Sequence, residues 1–285
     1  MQFKIQLFPN GQVSIYDPHF KESMHSWIGP WQEAHQIYLV PSELANLLTK
    51  NTDAPLVIYD MGLGIATHAI AAIEIFLQVS SSQSVRNLHI ISFEKNMSGL
   101  ACALENESHF PFISRRKSLI QELLKSNTLI KKNSNGSQFK WDLIIGDFKE
   151  HLNLEDSPEL IFYDFYSPKT CPELWNLETF QLLFHTTASR RHLGQESNFF
   201  TYTSSTSVRS ALLLAGFFVG YGISTEAKKE TTIASTQLKN ISHPLGHEWL
   251  EHWHRSSKPF PQDATQVEYK NILIQKVSEQ VLNGH

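Results

Sequence analysis

Features that mark secreted and membrane proteins are scarce in this sequence. Its 285 residues include two cysteines, Cys102 and Cys171, too few for a disulfide framework and typical of a reducing compartment. No apolar run reaches the ~18 residues of a membrane span, and residues 1–9 lack the apolar core of a signal peptide. We therefore expect a cytoplasmic protein that does not cross a membrane.

Positive charge is not in excess either. With 24 lysines and arginines against 28 acidic residues, the formal net charge is −4, which excludes a uniformly basic nucleic-acid-binding protein. Any contact with RNA must therefore be a local patch. A hydrophobic content of 41% in a chain of this length predicts one large α/β domain with additions, or two smaller domains.

The stretch 56–77 predicts a buried strand, a tight glycine turn and a long apolar helix. The apolar run that opens it ends at Asp60, and Gly62 and Gly64 follow before an apolar segment too long for a strand. This arrangement opens nucleotide sites in α/β sheets, because glycine lets the backbone approach a ligand beyond the strand end. A purely structural turn is the competing interpretation.

Details of this loop favour S-adenosyl-L-methionine over a dinucleotide. A dinucleotide fingerprint has a further glycine where this chain has Thr67. The carboxylate of Asp60 would repel an anionic pyrophosphate, whereas the sulfonium and amino groups of S-adenosyl-L-methionine are cationic. The pattern acid–x–Gly–x–Gly–x–small resembles motif I of class I methyltransferases, with Ala66 in place of the usual third glycine.

Each of the next three predicted core strands also ends at an acid. They are 88–93 with Glu94, 141–145 with Asp147, and 160–163 with Asp164. Neighbouring carboxylates repel one another, so stability alone would not select four of them at one sheet edge. A cationic or hydroxyl-rich ligand across that edge would explain them together. A helix-capping acid at Glu94 and a simple turn at Asp147 are the alternative interpretations.

The segment after the fourth strand carries the most informative pattern. Residues 164–175, Asp-Phe-Tyr-Ser-Pro-Lys-Thr-Cys-Pro-Glu-Leu-Trp, resemble the Asp-Gly-Phe-Ser/Ala-Pro…Asn-Pro-x-x-Trp signature of the MnmC methyltransferase domain. Further segments fall in that family's order, among them 60–66, 92–95, 141–147 and 228–232. The resemblance covers residues 10–235, and its departures include Phe165 for Gly and Cys171 for Asn.

The resemblance implies a fold, a cofactor and a substrate. The expected fold is α/β, the Rossmann-like doubly wound sheet of class I methyltransferases, and the expected cofactor is S-adenosyl-L-methionine without FAD or metal. The MnmC domain methylates 5-aminomethyl-2-thiouridine at the tRNA wobble position. The expected partner is therefore the tRNA anticodon stem-loop, with a separate enzyme that supplies the aminomethyl group. Two-part family members carry a flavin-dependent oxidase domain, for which this chain has no second glycine loop.

Candidate site residues follow from the strand ends and from the resemblance. Asp164 is the candidate catalytic residue, which would orient the substrate amine and pass its proton to water. The candidate cofactor-binding residues are Asp60, Gly62, Gly64, Glu94 and Asp147. The candidate substrate-binding residues are Phe165, Tyr166, Pro168, Arg209, Lys228 and Lys229. The aromatic ones would stack a flipped-out uridine and the basic ones would contact phosphates; ordinary packing and a solvated face are the alternatives.

The flanking segments predict additions to this core. Residues 3–8 and 13–16 alternate in polarity around a turn and predict a β-hairpin, and 37–40 predicts a short strand. The expected division is a β-rich appendage over 1–50, a methyltransferase domain over 51–236 and a helical extension over 237–285.

Other functions are compatible with the same residues. An aminopropyltransferase or a small-amine methyltransferase shares the fold, and a degenerate fold would serve as a binding module that has lost the cofactor. A nicotinamide dehydrogenase conflicts with Thr67 in the glycine loop. No metal is expected, because the C-terminal histidines have no acidic or cysteine partner set. These histidines are His243, His247, His252 and His254.

Overall fold

The computed structural model divides the chain into two compact units. They are Met1–His151 with Phe162–Asp164, and Leu152–Ile161 with Phe165–His285. The structure describes residues 2–152, 157–264 and 267–283. Strands and helices alternate along most of the chain, which confirms the α/β class. Residues 1–50 belong to the first unit and residues 237–285 to the second.

The first unit begins with a small antiparallel sheet. Its strands are β1 (Lys4–Leu7), β2 (Val13–Asp17) and β3 (Glu22–Ser23). Strand β2 lies in the middle and pairs with both neighbours. The predicted hairpin is confirmed, because alternating side chains and a polar turn are sufficient to specify it locally.

Helical structure follows where a short strand was predicted. Helix α1 (Pro30–Glu33) continues into a wider helical turn, Ala34–Leu39, and α2 spans Leu44–Leu48. The predicted strand at 37–40 is therefore wrong. A short apolar run fits a buried helix as well as a strand, and Pro30 at the first helical position starts a helix that the run continues.

The main sheet of the first unit is built on strands that are buried at its centre and more exposed toward one edge. They are β4 (Leu56–Met61), β5 (Leu88–Glu94), β6 (Thr128–Lys132), β7 (Gln138–Ile145) and the end of β8 (Leu160–Tyr163). The order is β8-β4-β5-β7-β6. Strands β4, β5 and β7 are parallel, whereas β6 runs antiparallel to β7. The helices of this part are α3 (Thr67–Ser80), α4 (Ser98–Glu105) and α5 (Pro111–Ser126).

The second unit carries an antiparallel set of strands. They are β9 (Asn198–Thr201), β10 (Phe218–Tyr221) and β11 (Thr232–Ser235), in the order β10-β11-β9. Next to β9 lies the start of β8, where the Asn198 N–H donates to the Glu159 carbonyl over 2.9 Å. The helices are α6 (Leu177–Thr186), α7 (Ala188–His192), α8 (Thr206–Ala215), α9 (His247–Arg255) and α10 (Val267–Asn283).

The last two helices close one edge of the second unit. Trp249 and Trp253 of α9 are buried, whereas the four C-terminal histidines named above are exposed. From α10, the buried side-chain amide of Gln280 accepts from Val219 N over 2.7 Å and donates to Val219 O over 3.1 Å. No helix in the described part of the chain is long and apolar enough to cross a membrane.

Candidate active site

The glycine turn after β4 leaves open space at the strand end. All six residues of β4 are buried, as expected of an interior parallel strand. Gly62 and Gly64 have φ angles of +89° and +55°, which glycine adopts without steric cost. The nearest atom to a Cβ added at Gly64 would be the Gly62 carbonyl oxygen, 3.9 Å away. The turn therefore leaves room for a ligand beside the backbone.

Ala66 stands where the methyltransferase motif usually has glycine, and its backbone still adopts the conformation that glycine favours. Its φ of +64° lies in the left-handed region that glycine favours, and it directly precedes α3. An L-residue pays about 1 kcal/mol or more for this conformation. The first N–H groups of α3 carry the positive end of the helix dipole, which favours a carboxylate such as that of a bound amino acid. Thr67 Oγ1 is buried there without a hydrogen-bond partner among the described residues.

Asp60 is buried at the end of β4 with one oxygen satisfied. Its Oδ2 accepts from Ser92 Oγ over 2.7 Å, and Ser92 Oγ in turn accepts from the indole N–H of Trp141 over 2.9 Å. Its Oδ1 has no hydrogen bond of good geometry within the described ranges, and lies 3.4 Å from His68 Nδ1. A buried carboxylate oxygen left in this state is a site for a cationic group.

Asp164 lies beside the end of β4. Its backbone N–H donates to the Met61 carbonyl over 2.9 Å, which fixes it directly after β8. Its Oδ1 accepts from the hydroxyl of Tyr38 over 2.8 Å, and its Oδ2 lies 3.5 Å from His68 Nε2. The side chain is 12% exposed, so the carboxylate is largely shielded but not sealed from solvent.

His68 stands between these two acids, and sequence reasoning missed both it and Tyr38. The His68 ring lies 4.3 Å from the Tyr38 ring, centroid to centroid. Burial lowers the pKa of His68, but neighbouring carboxylates outweigh it and raise the pKa above 6.5. These carboxylates are Asp60, Asp164 and Glu33. One signal was available in the sequence, since His68 is a lone ionisable residue at the start of an apolar helix.

The other two predicted cofactor acids lie at the ends of β5 and β7. Glu94 Oε2 accepts from Gly64 N over 3.0 Å, which ties the glycine turn to β5. Burial raises the pKa of Glu94, against the backbone N–H groups that lower it. Asp147 accepts from Lys149 N over 3.1 Å and lies 3.7 Å from the ammonium of Lys95. The four predicted acids thus lie at the ends of the neighbouring strands β8, β4, β5 and β7.

In the second unit, the segment after Asp164 is braced by aromatic side chains. The hydroxyl of Tyr202 donates to the Phe165 carbonyl over 3.0 Å, and the indole N–H of Trp175 donates to the Tyr166 carbonyl over 2.8 Å. Phe165, Tyr166 and Pro168 are all half-buried. The backbone of the predicted substrate segment is therefore held in place, while its side chains stay partly accessible.

The three predicted basic residues differ in their surroundings. Arg209 is 2% exposed, and its guanidinium donates to Thr232 Oγ1, the Thr231 carbonyl and Glu230 Oε1. Burial lowers the pKa of Arg209, and Glu230 opposes this. This arrangement leaves Arg209 no accessible face for a phosphate.

The two predicted lysines are more accessible. The ammonium of Lys228 lies 4.1 Å from the ring centroid of Tyr202, and Lys229 is exposed. Within residues 2–152, 157–264 and 267–283, no group of three or more histidine, cysteine or acidic side chains is arranged to hold a metal ion.

Comparison with known proteins identifies the class of enzyme. A family model described as S-adenosyl-L-methionine-dependent methyltransferase matches residues 112–237. Over these residues the chain is similar to S-adenosyl-L-methionine-dependent methyltransferases, which supports an enzyme of that class. The match includes Asp147, Asp164 and the braced segment, but it begins after the glycine turn.

Two curated proteins show which methyltransferases are similar. The chain is 26% identical over 238 residues to the tRNA 5-methylaminomethyl-2-thiouridine biosynthesis bifunctional protein MnmC of Polaromonas naphthalenivorans, over 81% of this chain and 35% of that protein. It is 26% identical over 220 residues to MnmC of Pseudomonas savastanoi pv. phaseolicola, over 74% of this chain and 32% of that protein. The chain thus spans about a third of the length of these relatives.

A solved structure shares the fold. The crystal structure of MnmC2 from Aquifex aeolicus superposes with a TM-score of 0.69 at 20% identity, over 98% of this chain and 85% of that one. This likeness confirms the class I methyltransferase fold.

The residues of the first unit fit the cofactor of this enzyme class. The open glycine turn, the start of α3 and the buried Thr67 Oγ1, which has no hydrogen-bond partner in the described part of the chain, suit its amino-acid end. The backbone N–H groups of Gly64 and Asn96 donate to the two carboxylate oxygens of Glu94, and ribose hydroxyls would use the lone pairs that remain. These residues would therefore hold the cofactor next to Asp164.

Proposed function

We propose that this methyltransferase methylates the amino nitrogen of 5-aminomethyl-2-thiouridine, or its 2-oxo form, at the wobble position of tRNA. The product would be the 5-methylaminomethyl nucleoside. The observation that carries the proposal is Asp164, a shielded carboxylate oriented by Tyr38 and His68 at the end of β8. The names of the MnmC relatives, which specify tRNA 5-methylaminomethyl-2-thiouridine biosynthesis, support this substrate.

The reaction requires a neutral amine close to an electrophilic methyl group. When bound, S-adenosyl-L-methionine supplies that methyl group on a sulfonium. An alkylamine with a pKa of about 10 costs about 4 kcal/mol to deprotonate near neutral pH. Asp164 would accept a hydrogen bond from the incoming ammonium, orient its nitrogen and pass the proton to water. Orientation of this kind supplies roughly 7–11 kcal/mol of the barrier, and no covalent enzyme intermediate is needed.

The excess of negative charge around His68 favours cationic reactants. Three carboxylates surround His68 and raise its pKa, while burial and His68 lower the pKa of His25 to about 3. A site with this charge attracts both an ammonium and a sulfonium. A dinucleotide with its pyrophosphate would be repelled by the same charges.

Residues of the second unit would bind the nucleoside and the RNA backbone. Phe165 and Tyr166 follow Asp164 directly in the sequence and would stack the flipped-out uridine. Pro168 would hold the turn that follows them. Lys228 and Lys229 would contact phosphates, and we leave Arg209 out of this set because it is buried.

The test is a methyl-transfer assay with a defined tRNA. The protein is incubated with deuterium-labelled S-adenosyl-L-methionine and tRNA that carries 5-aminomethyl-2-thiouridine, and digested nucleosides are analysed by mass spectrometry. We expect the label in 5-methylaminomethyl-2-thiouridine. The same tRNA with an unmodified wobble uridine is the control and should remain unlabelled.

A small-molecule substrate is the outcome that would contradict the proposal. Label found in added polyamines or simple alkylamines, with none in the tRNA, would assign the enzyme to small amines. If both tRNAs are labelled alike, the enzyme methylates a position other than the wobble amine.

A further inference from the structure

We propose that His68 is a positioning residue: as an imidazolium it bridges Asp60 and Asp164, and so couples the cofactor loop to the carboxylate that meets the substrate amine. This inference rests on the proposed function of Asp164. It adds a residue that neither the glycine motif nor the segment after β8 contains. The bridge is built by one side chain whose two ring nitrogens each face a different acid.

The geometry of the bridge fixes both ends of the His68 ring. Nδ1 lies 3.4 Å from Asp60 Oδ1, and Nε2 lies 3.5 Å from Asp164 Oδ2. The ring is 4% exposed and packs against Tyr38 at 4.3 Å, so its orientation is set by packing. The Tyr38 hydroxyl donates to the other oxygen of Asp164, which leaves that carboxylate held from two directions.

Electrostatics require a cation between these acids. Two buried carboxylates that share a site raise the cost of ionising both, and a proton on the imidazole removes most of that cost. The groups that face His68 come from several elements: Asp60 from β4, Asp164 after β8, Glu33 from α1, Tyr38 from the helical turn and His25 after β3. Neutral His25 adds no competing positive charge.

The bridge has a consequence for the dependence of the reaction on pH. As the pH rises through the raised pKa of His68, the imidazolium loses its proton and the two carboxylates repel each other. Asp164 then loses one of its two orienting contacts, and kcat falls. As the pH decreases, the substrate amine becomes protonated, and kcat falls for a different reason. We therefore assign the alkaline limb of a bell-shaped kcat profile to His68.

The decisive experiment compares His68→Gln with a matched histidine variant. Glutamine keeps a hydrogen-bonding side chain but does not titrate. We expect His68→Gln to lower kcat on the modified tRNA by about 10- to 100-fold and to remove the alkaline limb, while KM for tRNA changes by less than about threefold. His89 is the control, because this buried histidine pairs with Asp142 over 2.7 Å outside the acid cluster. His89→Gln should retain the wild-type profile.

A second measurement does not depend on turnover. In carbon-13-histidine-labelled protein, the resonance absent from His68→Gln identifies His68, and its titration gives the pKa directly. We expect a midpoint above 6.5 that moves down in Asp164→Asn, because one of the flanking charges is removed. If wild-type protein shows this titration but methylates no tRNA, the proposed function is overturned and the His68 bridge is retained.

Two results would overturn the inference itself. One is a His68 titration with a midpoint at or below 6.5, or with a midpoint that does not change in Asp164→Asn. The other is a His68→Gln enzyme that keeps the alkaline limb of the wild-type kcat profile.

Discussion

Each unit of this methyltransferase buries a charged cluster, and the two clusters differ in how far their charges are matched. In the first unit, three carboxylates surround His68, and Oδ1 of Asp60 lacks a well-formed hydrogen bond in the described part of the chain. In the second unit, Arg209 donates to a carboxylate, a carbonyl and a hydroxyl. The first cluster has negative charge in excess, whereas the second is paired.

The difference separates a binding site from a structural element. Burying unpaired charge costs several kcal/mol, so an excess persists where a ligand of opposite sign completes it. A paired cluster needs no ligand, and its loss is felt as loss of stability. In the linear sequence the two clusters cannot be told apart, because both are charged residues next to apolar ones.

Among the tests of the first cluster, replacing Asp164 has the largest expected effect. Asp164→Asn removes the charge that orients the substrate amine but retains its shape. We expect kcat for tRNA methylation to fall by about 10²- to 10⁴-fold, measured in single turnovers with saturating cofactor. Asp142→Asn is the control, since this acid pairs with His89 and Lys140 elsewhere. Near-normal turnover by Asp164→Asn would remove Asp164 from the chemistry.

Replacing Arg209 tests the opposite expectation for the second cluster. Arg209→Met leaves Glu230, the Thr231 carbonyl and the Thr232 hydroxyl without their donor, and should lower the free energy of unfolding by about 3 kcal/mol. Urea denaturation measures this, with exposed Lys229→Met as the control for the loss of one positive charge. Cofactor affinity should stay unchanged. If the Arg209→Met protein is stable but no longer binds tRNA, Arg209 is a substrate-binding residue.

The neutral histidine of the first unit predicts how stability depends on pH. His25 has a folded pKa of about 3 and an ordinary value of 6.5, so the unfolded chain binds more protons between these values. The folded protein therefore has its full stability with respect to His25 above pH 6.5, and the free energy of unfolding decreases as the pH falls toward 3. Between pH 6.5 and 5 we expect a loss of about 2 kcal/mol that His25→Gln lacks. Parallel unfolding curves for both proteins would contradict this.

Replacing Glu94 has the smallest expected effect, and it tests cofactor binding specifically. Glu94→Ala removes the predicted acceptor for the ribose hydroxyls and the carboxylate that receives Gly64 N. We expect Kd for S-adenosyl-L-methionine, measured by isothermal titration, to rise about tenfold or more. Exposed Glu105→Ala controls for net charge. Equal Kd values for the two variants would exclude Glu94 from the cofactor site.

The positions of the acids at the sheet edge could be predicted from the sequence, because they depend on patterns between residues that are close in the chain. Strand, acid and glycine turn are neighbours in the chain at Asp60, and parallel strands then bring Glu94, Asp147 and Asp164 to the same edge. Contacts between distant segments were not predictable in this way. Tyr38 meets Asp164 across 126 positions, and it lies in a run that fits helix and strand patterns equally.

The buried partners of Arg209 were hidden for the same reason. Its hydrogen bonds reach 21 to 23 positions along the chain, to a strand that pairs with β9 and β10. Burial of a cation depends on such pairing, which sequence periodicity does not report. His68 is the intermediate case, since its position four residues after Gly64 was visible but its two acidic partners were assigned to other roles.

Gln280 gives the second unit a protection against self-association. Strand β10 ends the strand order of that unit, and the free backbone of an edge strand is a template on which another chain can add a strand. The amide of Gln280 binds both backbone groups of Val219 there, and residues 243–245 also pair with β10 through Leu245 N to Val219 O and Tyr221 N to His243 O. A shortened form without α10 would therefore leave the Val219 N–H without its acceptor, and only residues 243–245 would cover the edge of β10.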